Sequence, residues 1–140
     1  MYVVGIDIGG QTSKIGVVDA RGTVLAQTVI RTDTYTDIAP YISELAVALN
    51  KVIADAGVEG KVKGIGVGAP NGNYYTGTIE NAVNLSWGGT QTIEFAKLLS
   101  EAMNGLPVAL TNDANAAAVG EMTYGAARGM KNFIMITLGT

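Results

Sequence analysis

The sequence predicts an α/β fold built on a mixed sheet, with three antiparallel strands first, parallel strands after them, and helices on both faces. Residues 2–31 contain three β-rich stretches joined by short connections, a pattern typical of an antiparallel meander. Apolar residues then recur at three- and four-residue steps over residues 37–56, which indicates a long amphipathic helix. Beyond this helix, strands and helices alternate, and such an order requires parallel pairing with helices covering the sheet.

The individual elements follow from local patterns. Strands are predicted at residues 2–9, 13–19, 23–31, 62–69, 108–111 and 132–138, and helices at residues 37–56, 92–104 and 113–124. Gly57 is expected to end the first helix, because glycine adopts the left-handed conformation that follows many helices. Residues 71–90 are rich in glycine, asparagine and aromatic side chains, so we expect a long ordered loop or hairpin of a kind that often carries function.

Composition excludes several classes of protein and site. The chain has 140 residues and 48% hydrophobic residues, enough for one domain with a buried core. It contains no cysteine and no histidine, which excludes disulfides, thiol nucleophiles, histidine bases and an ordinary zinc site. The net charge is −3 and the basic residues form no stripe, so nucleic acid is not an expected partner.

No apolar segment suggests a membrane or a secretory route. A helix that spans a bilayer needs about 20 apolar residues, and no such run is present. Met1 leads directly into the first predicted strand without a basic segment or a cleavage site. A cytoplasmic protein is therefore the default expectation.

The first motif with chemical potential lies between the first two strands, in the segment DIGGQTSK. Gly9 and Gly10 allow the backbone to approach a polyanion closely, and the hydroxyls of Thr12 and Ser13 add donors. Asp7 stands at the end of a strand, where a carboxylate can hold Mg²⁺ through water. The alternative interpretation is an ordinary hairpin turn that needs glycine, and the turn taken alone favours that alternative.

The second motif, TNDAN, follows the predicted strand at 108–111. Asp113 at the start of a helix is most often an N-cap that accepts backbone N–H groups. It is also placed to act as a general base that accepts the proton of a sugar hydroxyl during phosphoryl transfer. Both interpretations need an ionised carboxylate, and the reference pKa of about 3.9 together with the helix N-terminus provides one.

The loop at residues 71–90 offers amides that suit the paired donors and acceptors of sugar hydroxyls, namely Asn71, Asn73, Asn81 and Asn84. The alternative is turn formation, for which asparagine is favoured in any case. Trp87 either stacks on a sugar or anchors the loop, and anchoring is the favoured interpretation. Glu121, about two helical turns after Asp113, is interpreted as a structural acid rather than a catalytic one.

Together these segments resemble the ROK family of sugar kinases and repressors, especially its bacterial glucokinases. The segment DIGGQTSKIGVVD is similar to the first phosphate motif, and GVGAPNGNYYTGTIENAVNLSWGG to the sugar-binding loop. TNDANAAAVGE is similar to the catalytic segment, and ITLGT to the opening of the second phosphate motif. The resemblance spans the whole chain in the right order. It implies a ribonuclease-H-like half-domain of the actin-like ATPase and hexokinase superfold.

The resemblance also implies roles for individual residues. Asp113 would be the catalytic base that deprotonates the 6-hydroxyl of the sugar, and Asn112, Asn84 and Gly72 would contact the sugar. Asp7 would hold Mg²⁺ through water. The ATP phosphates and the metal side would be lined by Asp7, Gly9, Gly10, Gln11, Thr12, Lys14, Thr137, Gly139 and Thr140.

The sequence departs from the family pattern at three places. Gln11 stands where the family usually has threonine, and Asn71-Gly72-Asn73 replaces a commoner turn in the sugar loop. The chain also stops within the second phosphate motif. We therefore expect residues 1–140 to form an N-terminal domain of a larger protein, with the C-terminal domain and the zinc motif of the family missing.

The leading hypothesis is the N-terminal part of an ATP-dependent hexose kinase, most simply a glucokinase, with the isolated fragment inactive. The resemblance implies a hexose and Mg-ATP as ligands and a homo-oligomer for the full-length protein. One alternative is the sugar-sensing part of a ROK repressor, and another is a kinase for N-acetylhexosamines or fructose. A third is an actin-like or chaperone-like ATPase, against which the asparagine-rich loop argues.

Overall fold

The computed structural model describes residues 2–112 of the protein. The strands are β1 Tyr2–Ile8, β2 Thr12–Asp19, β3 Val24–Arg31, β4 Val62–Gly68, β5 Gly72–Asn73, β6 Thr78–Glu80, β7 Thr92–Ile93 and β8 Val108–Thr111, and the helices are α1 Ile38–Asp55 and α2 Phe95–Ala102. The predicted helix at 113–124 and the predicted strand at 132–138 lie outside the described residues.

The main sheet is mixed, as the element order predicts. Its five strands run in the order β3-β2-β1-β4-β8. β1, β2 and β3 pair antiparallel in sequence, whereas β4 pairs parallel with both β1 and β8. The β2–β3 turn is closed by the Asp19 carboxylate, which accepts hydrogen bonds from the N–H groups of Arg21 and Thr23. α1 provides the crossover that a return to the parallel strand β4 requires.

Helix α1 forms where the apolar stripe predicts it. One side of the helix is buried and carries Tyr41, Ile42, Leu45, Ala48, Leu49, Val52 and Ile53. Gly57 has a φ of 70°, and its N–H donates to Ala54 O while the N–H of Val58 donates to Ile53 O. These bonds satisfy carbonyls at the helix end and turn the chain toward β4.

Helix α2 is shorter than the predicted helix at 92–104. Thr92 and Ile93 instead form β7, which pairs with β6 through Ile79 opposite Ile93. Both residues are β-branched, and Ile93 is buried against its partner strand, so tertiary pairing overrides the helical periodicity. The helix ends before Asn104 because Asn104 and Gly105 both adopt positive φ, 57° and 83°.

One hydrophobic core joins the two helices to one face of the sheet. α1 packs on β2 and β3, α2 packs on β8, and the helices touch each other. The aromatic rings of Tyr41, Trp87 and Phe95 lie at the centre of this core, with Trp87 stacked on both of the others. Helices on both faces therefore remain a prediction, because the described helices share one face.

The other face of the sheet carries a row of small residues. Gly5 pairs with Gly16 on β2 and with Gly66 on β4, and Gly66 pairs with Ala109 on β8. Paired residues project to the same face of a sheet, so these four residues form a row of small side chains across it. Such a row permits close approach of a covering element.

Among residues 2–112, no helix is long and apolar enough to cross a membrane.

Candidate active site

Three parallel strands end at one edge of the sheet, and the predicted site residues gather there. Asp7 on β1 pairs with Gly68 on β4, and Gly68 pairs with Thr111 on β8. Adjacent strands are about 4.8 Å apart, so the Cα atoms of Asp7 and Thr111 are separated by about 10 Å. Asn112 follows β8 directly and is exposed. The sheet thus brings the first motif and the start of the second motif to the same edge.

Asp7 is a half-buried carboxylate beside a cation. It pairs across the sheet with Lys14 on β2, and antiparallel partners project to the same face. Burial raises the pKa of Asp7 above its ordinary value of 3.8, and the positive charge of Lys14 offsets part of that rise. A partly desolvated carboxylate next to an exposed lysine suits the metal and phosphate side of a nucleotide site.

The turn between β1 and β2, residues 9–11, is a tight hairpin connection and is called the glycine turn below. The Gly9 N–H donates to Thr12 O at 2.9 Å, and the Gln11 carbonyl accepts from the Thr32 N–H at 2.8 Å. The Gly9 N–H is therefore used within the turn. The N–H groups of Gly10 and Gln11 make no hydrogen bond with any described residue, so these two amides are the donors that the turn can offer to an anion.

The Ser13 hydroxyl does not lie beside the side chains of Thr12 and Lys14, contrary to the expectation that it adds a donor to the turn. The side chain is completely buried, and its Oγ lies 2.7 Å from Thr32 Oγ1 and 2.6 Å from Tyr41 OH. Successive residues of a strand project to opposite faces, so Ser13 must point away from Thr12 and Lys14. The period of two in the sequence could have shown this, whereas the partners Thr32 and Tyr41 carry no sequence signal of their own.

The loop after β4 folds into a small sheet and then passes next to the glycine turn. β6 pairs with β5 on one side and with β7 on the other. Gly72 is partly buried within β5, opposite Ile79. Asn84 is exposed, its side chain makes no hydrogen bond with the described residues, and its carbonyl oxygen lies against Gly10. The amide of Asn84 therefore remains available to a ligand beside the turn.

Two other asparagines of the loop serve turn formation, which was the alternative interpretation of these amides. Asn71 Nδ2 donates to Asn81 O at 2.9 Å and closes the base of the β5–β6 hairpin. Asn73 Oδ1 accepts from the N–H groups of Tyr75 and Thr76 at the hairpin tip. Their side chains stabilise the loop and are committed to the backbone.

Trp87 anchors the loop, as favoured from the sequence. Its ring is 1% exposed and stacks on Tyr41 at a centroid distance of 4.8 Å and on Phe95 at 5.9 Å. A ring enclosed in this way cannot present a face to a sugar. The loop is thus fixed to the core three residues beyond Asn84.

The remaining predicted site residues lie outside the described residues. They are the base Asp113 and the second phosphate segment with Thr137, Gly139 and Thr140, and Glu121 is also among them. Their roles stay predictions. Within residues 2–112, the structure brings together Asp7, the glycine turn with Thr12 and Lys14, the loop residue Asn84, and the strand end before Asn112.

Comparison with known proteins identifies the family. The ROK family model matches residues 3–140. This chain belongs to the ROK family. A curated relative, the glucokinase of Halalkalibacterium halodurans, is 37% identical over 141 residues, and the match covers 99% of this chain and 42% of that enzyme.

Solved ROK structures share the fold. The ROK hexokinase from Thermus thermophilus is 36% identical with a TM-score of 0.66, and the match covers 92% of this chain and 41% of that chain. The ROK family glucokinase from Streptomyces griseus, solved with glucose and AMPPNP, is 30% identical with a TM-score of 0.65. This match covers 92% of this chain and 38% of that chain. The fold is therefore that of the sugar kinases in the hexokinase superfold, and this chain spans about two fifths of the relatives it matches.

The described residues fit the Mg²⁺ that such a fold implies. Among residues 2–112, no group of three acidic, histidine or cysteine side chains could form a protein cage for a metal. Mg²⁺ at nucleotide sites is ordinarily held by substrate phosphates, water and one or two carboxylates. Asp7, half-buried beside the glycine turn, would provide the single carboxylate that this mode of binding needs.

Proposed function

We propose that this chain is the N-terminal domain, residues 1–140, of a longer ATP-dependent hexose kinase that converts glucose and ATP to glucose 6-phosphate and ADP. The loop at residues 71–90 is called the sugar loop. The observation that carries the proposal is the contact between the glycine turn, at Gly10, and the sugar loop, at Asn84. A kinase must hold a phosphate donor and a sugar side by side, and this contact supports the proposal because it joins the segment assigned to each.

The phosphate side is assigned to the hairpin between β1 and β2. The N–H groups of Gly10 and Gln11, with the Thr12 hydroxyl and the Lys14 ammonium, would bind and orient the phosphates of ATP. Asp7 would hold Mg²⁺ through water, and the ion when bound neutralises phosphate charge. The second phosphate segment would begin with Thr137, Gly139 and Thr140.

The sugar side is assigned to Asn84, Gly72 and Asn112, which would position the sugar through hydrogen bonds to its hydroxyls. Asp113, next after Asn112, would act as general base. Its carboxylate would take the proton of the 6-hydroxyl as that oxygen forms a bond to the γ-phosphorus, while the bond from phosphorus to the β,γ-bridging oxygen breaks and ADP leaves.

Support for glucose as substrate comes from the relatives. The Halalkalibacterium halodurans relative is a glucokinase, and the Streptomyces griseus structure contains glucose and AMPPNP. Because this chain covers about two fifths of such enzymes, we expect residues 1–140 alone to have little or no kinase activity. Robust glucose phosphorylation by the 140-residue fragment that depends on Asp113 would contradict this expectation.

The test uses the whole protein that carries this chain. A panel of glucose, mannose, fructose and N-acetylhexosamines is assayed with Mg-ATP and, separately, with polyphosphate, for wild type and for Asp113→Ala. We expect glucose to be phosphorylated with ATP and kcat to fall by roughly three orders of magnitude or more in the variant. Glucose binding without turnover of any sugar would instead indicate a sensor and leave Asp113 as a helix cap.

A further inference from the structure

The connector between β3 and α1, residues 32–37, lies between the glycine turn and the sugar loop and bonds to both. Thr32 is the first residue of this connector and is completely buried. Its N–H donates to the Gln11 carbonyl at 2.8 Å, directly within the glycine turn. The backbone of Thr32 therefore fixes the position of the turn that is assigned to phosphate.

The side chain of Thr32 extends the same linkage into the core. Thr32 Oγ1 lies 2.7 Å from Ser13 Oγ, and Ser13 Oγ lies 2.6 Å from Tyr41 OH. All three side chains are completely buried. Hydroxyl networks in such surroundings specify one geometry, because any member that loses its partner remains desolvated.

The sugar loop bonds to the same connector from the opposite side. Ser86 Oγ lies 2.6 Å from the Tyr35 carbonyl and 3.4 Å from the Thr32 carbonyl. The next residue, Trp87, stacks on the Tyr41 ring, whose hydroxyl belongs to the buried network. Two polar contacts of Ser86 and one aromatic contact of Trp87 therefore tie the loop that carries Asn84 to the residues that hold the glycine turn.

We propose that Thr32 is a positioning residue that holds the glycine turn and the sugar loop in one fixed relative geometry. Thr32 touches neither phosphate nor sugar, since it is fully enclosed by the protein. What it positions rests on the proposed function, namely the phosphates on one side and the sugar on the other. A reacting pair displaced by about 1 Å loses on the order of 100-fold in rate, so a residue that sets this distance affects turnover without contacting a ligand.

The first test measures hydrogen exchange in the whole protein without any ligand. Thr32→Val removes the hydroxyl and keeps the shape, whereas Thr32→Ser keeps the hydroxyl. In Thr32→Val we expect faster exchange at the Gly9 amide in the glycine turn and, to the same extent, at the Leu85 and Gly88 amides in the sugar loop. The increase should be about fivefold, the size expected for loss of one buried hydroxyl hydrogen bond. Thr32→Ser is expected to remain within about twofold of wild type.

A matched control is available in the chain. Thr78 is also buried, and its Oγ1 lies 2.6 Å from Thr76 Oγ1 and donates to Glu80 Oε1. Thr78→Val therefore removes a buried threonine hydroxyl that has no bond to the glycine turn or to the connector. We expect it to leave exchange at Gly9 unchanged, so a general loss of stability can be separated from loss of the linkage.

The second test measures the kcat and KM of the same variants. For Thr32→Val we expect kcat to fall by about tenfold or more while the KM values for glucose and ATP change by less than about threefold, with rescue in Thr32→Ser. Ser86→Ala, at an exposed position, loses one of the loop contacts and should lower kcat to a smaller extent without disturbing the fold.

The results separate this inference from the proposed function. The linkage would be overturned if Thr32→Val raised exchange only at Gly9, only at Leu85 and Gly88, or at none of these amides. It would also be overturned if Thr78→Val had an equal effect. If wild type phosphorylates no sugar, the proposed function fails, while the exchange result still decides whether Thr32 joins the two segments.

Discussion

Gly10 lies so close to Asn84 that a Cβ atom on residue 10 would stand 3.1 Å from the Asn84 carbonyl oxygen. This contact joins the glycine turn to the sugar loop without any side chain on the turn. That separation is tighter than most real contacts of a Cβ atom, so a side chain at residue 10 would require the turn or the loop to shift by a few tenths of an ångström. The absence of a side chain at residue 10 therefore favours the observed approach of the two candidate binding surfaces.

Gly10→Ala is expected to separate the turn from the loop by a few tenths of an ångström. The free energy of unfolding should fall by about 1–2 kcal/mol, and kcat/KM for glucose should fall by about tenfold or more, because both surfaces shift. Chemical denaturation and steady-state kinetics of the whole protein measure the two effects.

Gly60 provides a control that separates the effect of backbone strain from the effect of moving the turn away from the loop. Gly60 has a φ of 75°, and a Cβ there would meet nothing within 4 Å. Gly60→Ala should cost about 1 kcal/mol through backbone strain and leave kcat/KM within about twofold of wild type. Equal kinetic losses in both alanine variants would argue against a specific role for the Gly10–Asn84 contact.

Asp7→Asn is expected to stabilise the protein at neutral pH while impairing its activity. Burial raises the pKa of Asp7 in the folded state, so the folded state binds this proton more tightly than the unfolded chain does. Stability therefore declines as pH rises through 3.8 toward the folded pKa, and the cost persists at pH 7. Removing the charge should raise the free energy of unfolding by less than about 1 kcal/mol, because the carboxylate is half exposed.

Thermal unfolding of wild type and Asp7→Asn at pH 7 and near pH 3 checks this sign. The difference in stability between the two proteins should be present at pH 7 and should shrink near pH 3, where Asp7 becomes protonated in both the folded and the unfolded state. Lys14→Met provides the opposite control: it removes the cation that offsets the rise in pKa, and so should lower stability at pH 7. A loss of stability in Asp7→Asn at pH 7 would contradict the prediction.

Tyr41 is expected to contribute to alkaline unfolding. Burial, the largest cause, raises its pKa from 10.0 to about 12; the hydrogen bond with Ser13 and a smaller contribution from Thr32 lower it, and the negative charge of Glu44 adds to the rise. The corresponding stabilisation is fully present below pH 10 and is lost as pH rises toward 12, because the unfolded chain releases the proton first.

Unfolding followed between pH 9 and pH 12 in wild type and in Tyr41→Phe measures this contribution. The variant should be less stable by about 1 kcal/mol at neutral pH, since Ser13 loses a partner, and its stability should fall less steeply above pH 10. Parallel pH profiles of the two proteins would show that Tyr41 does not titrate in this range.

Trp87 is expected to matter for stability and not for sugar contact. Trp87→Ala should cost about 3–5 kcal/mol, because the cavity would open between Tyr41 and Phe95. Trp87→Phe should cost less, since a ring remains in the stack and the buried Nε1, which has no partner among the described residues, is removed.

The glucose KM of Trp87→Phe distinguishes an anchor from a sugar contact. We expect it to stay within about threefold of wild type, because the wild-type ring is enclosed by the core. A rise of about tenfold or more, with stability nearly unchanged, would place this side chain in contact with the sugar instead.

The sequence alone predicted the parts of the fold and site that depend on local patterns. The apolar stripe of α1, its termination at Gly57, the alternation in β3 and the position of β8 were all visible in residue spacing, because helix and strand periods repeat over short distances. The anchoring role of Trp87 followed from the same reasoning about apolar bulk in a polar loop. Membership of the ROK family was visible because its motifs occur in a fixed order.

The tertiary structure decided what depends on contacts between distant segments. Thr92 and Ile93 belong to β7 because β6, a dozen residues earlier, supplies a partner that local periodicity cannot represent. The bonds of Ser13 to Thr32 and Tyr41 and the approach of Gly10 to Asn84 join residues 19 to 74 positions apart. Local sequence specifies which backbone conformations are favourable, whereas the free energy of burial and of paired polar groups selects the distant residues that meet.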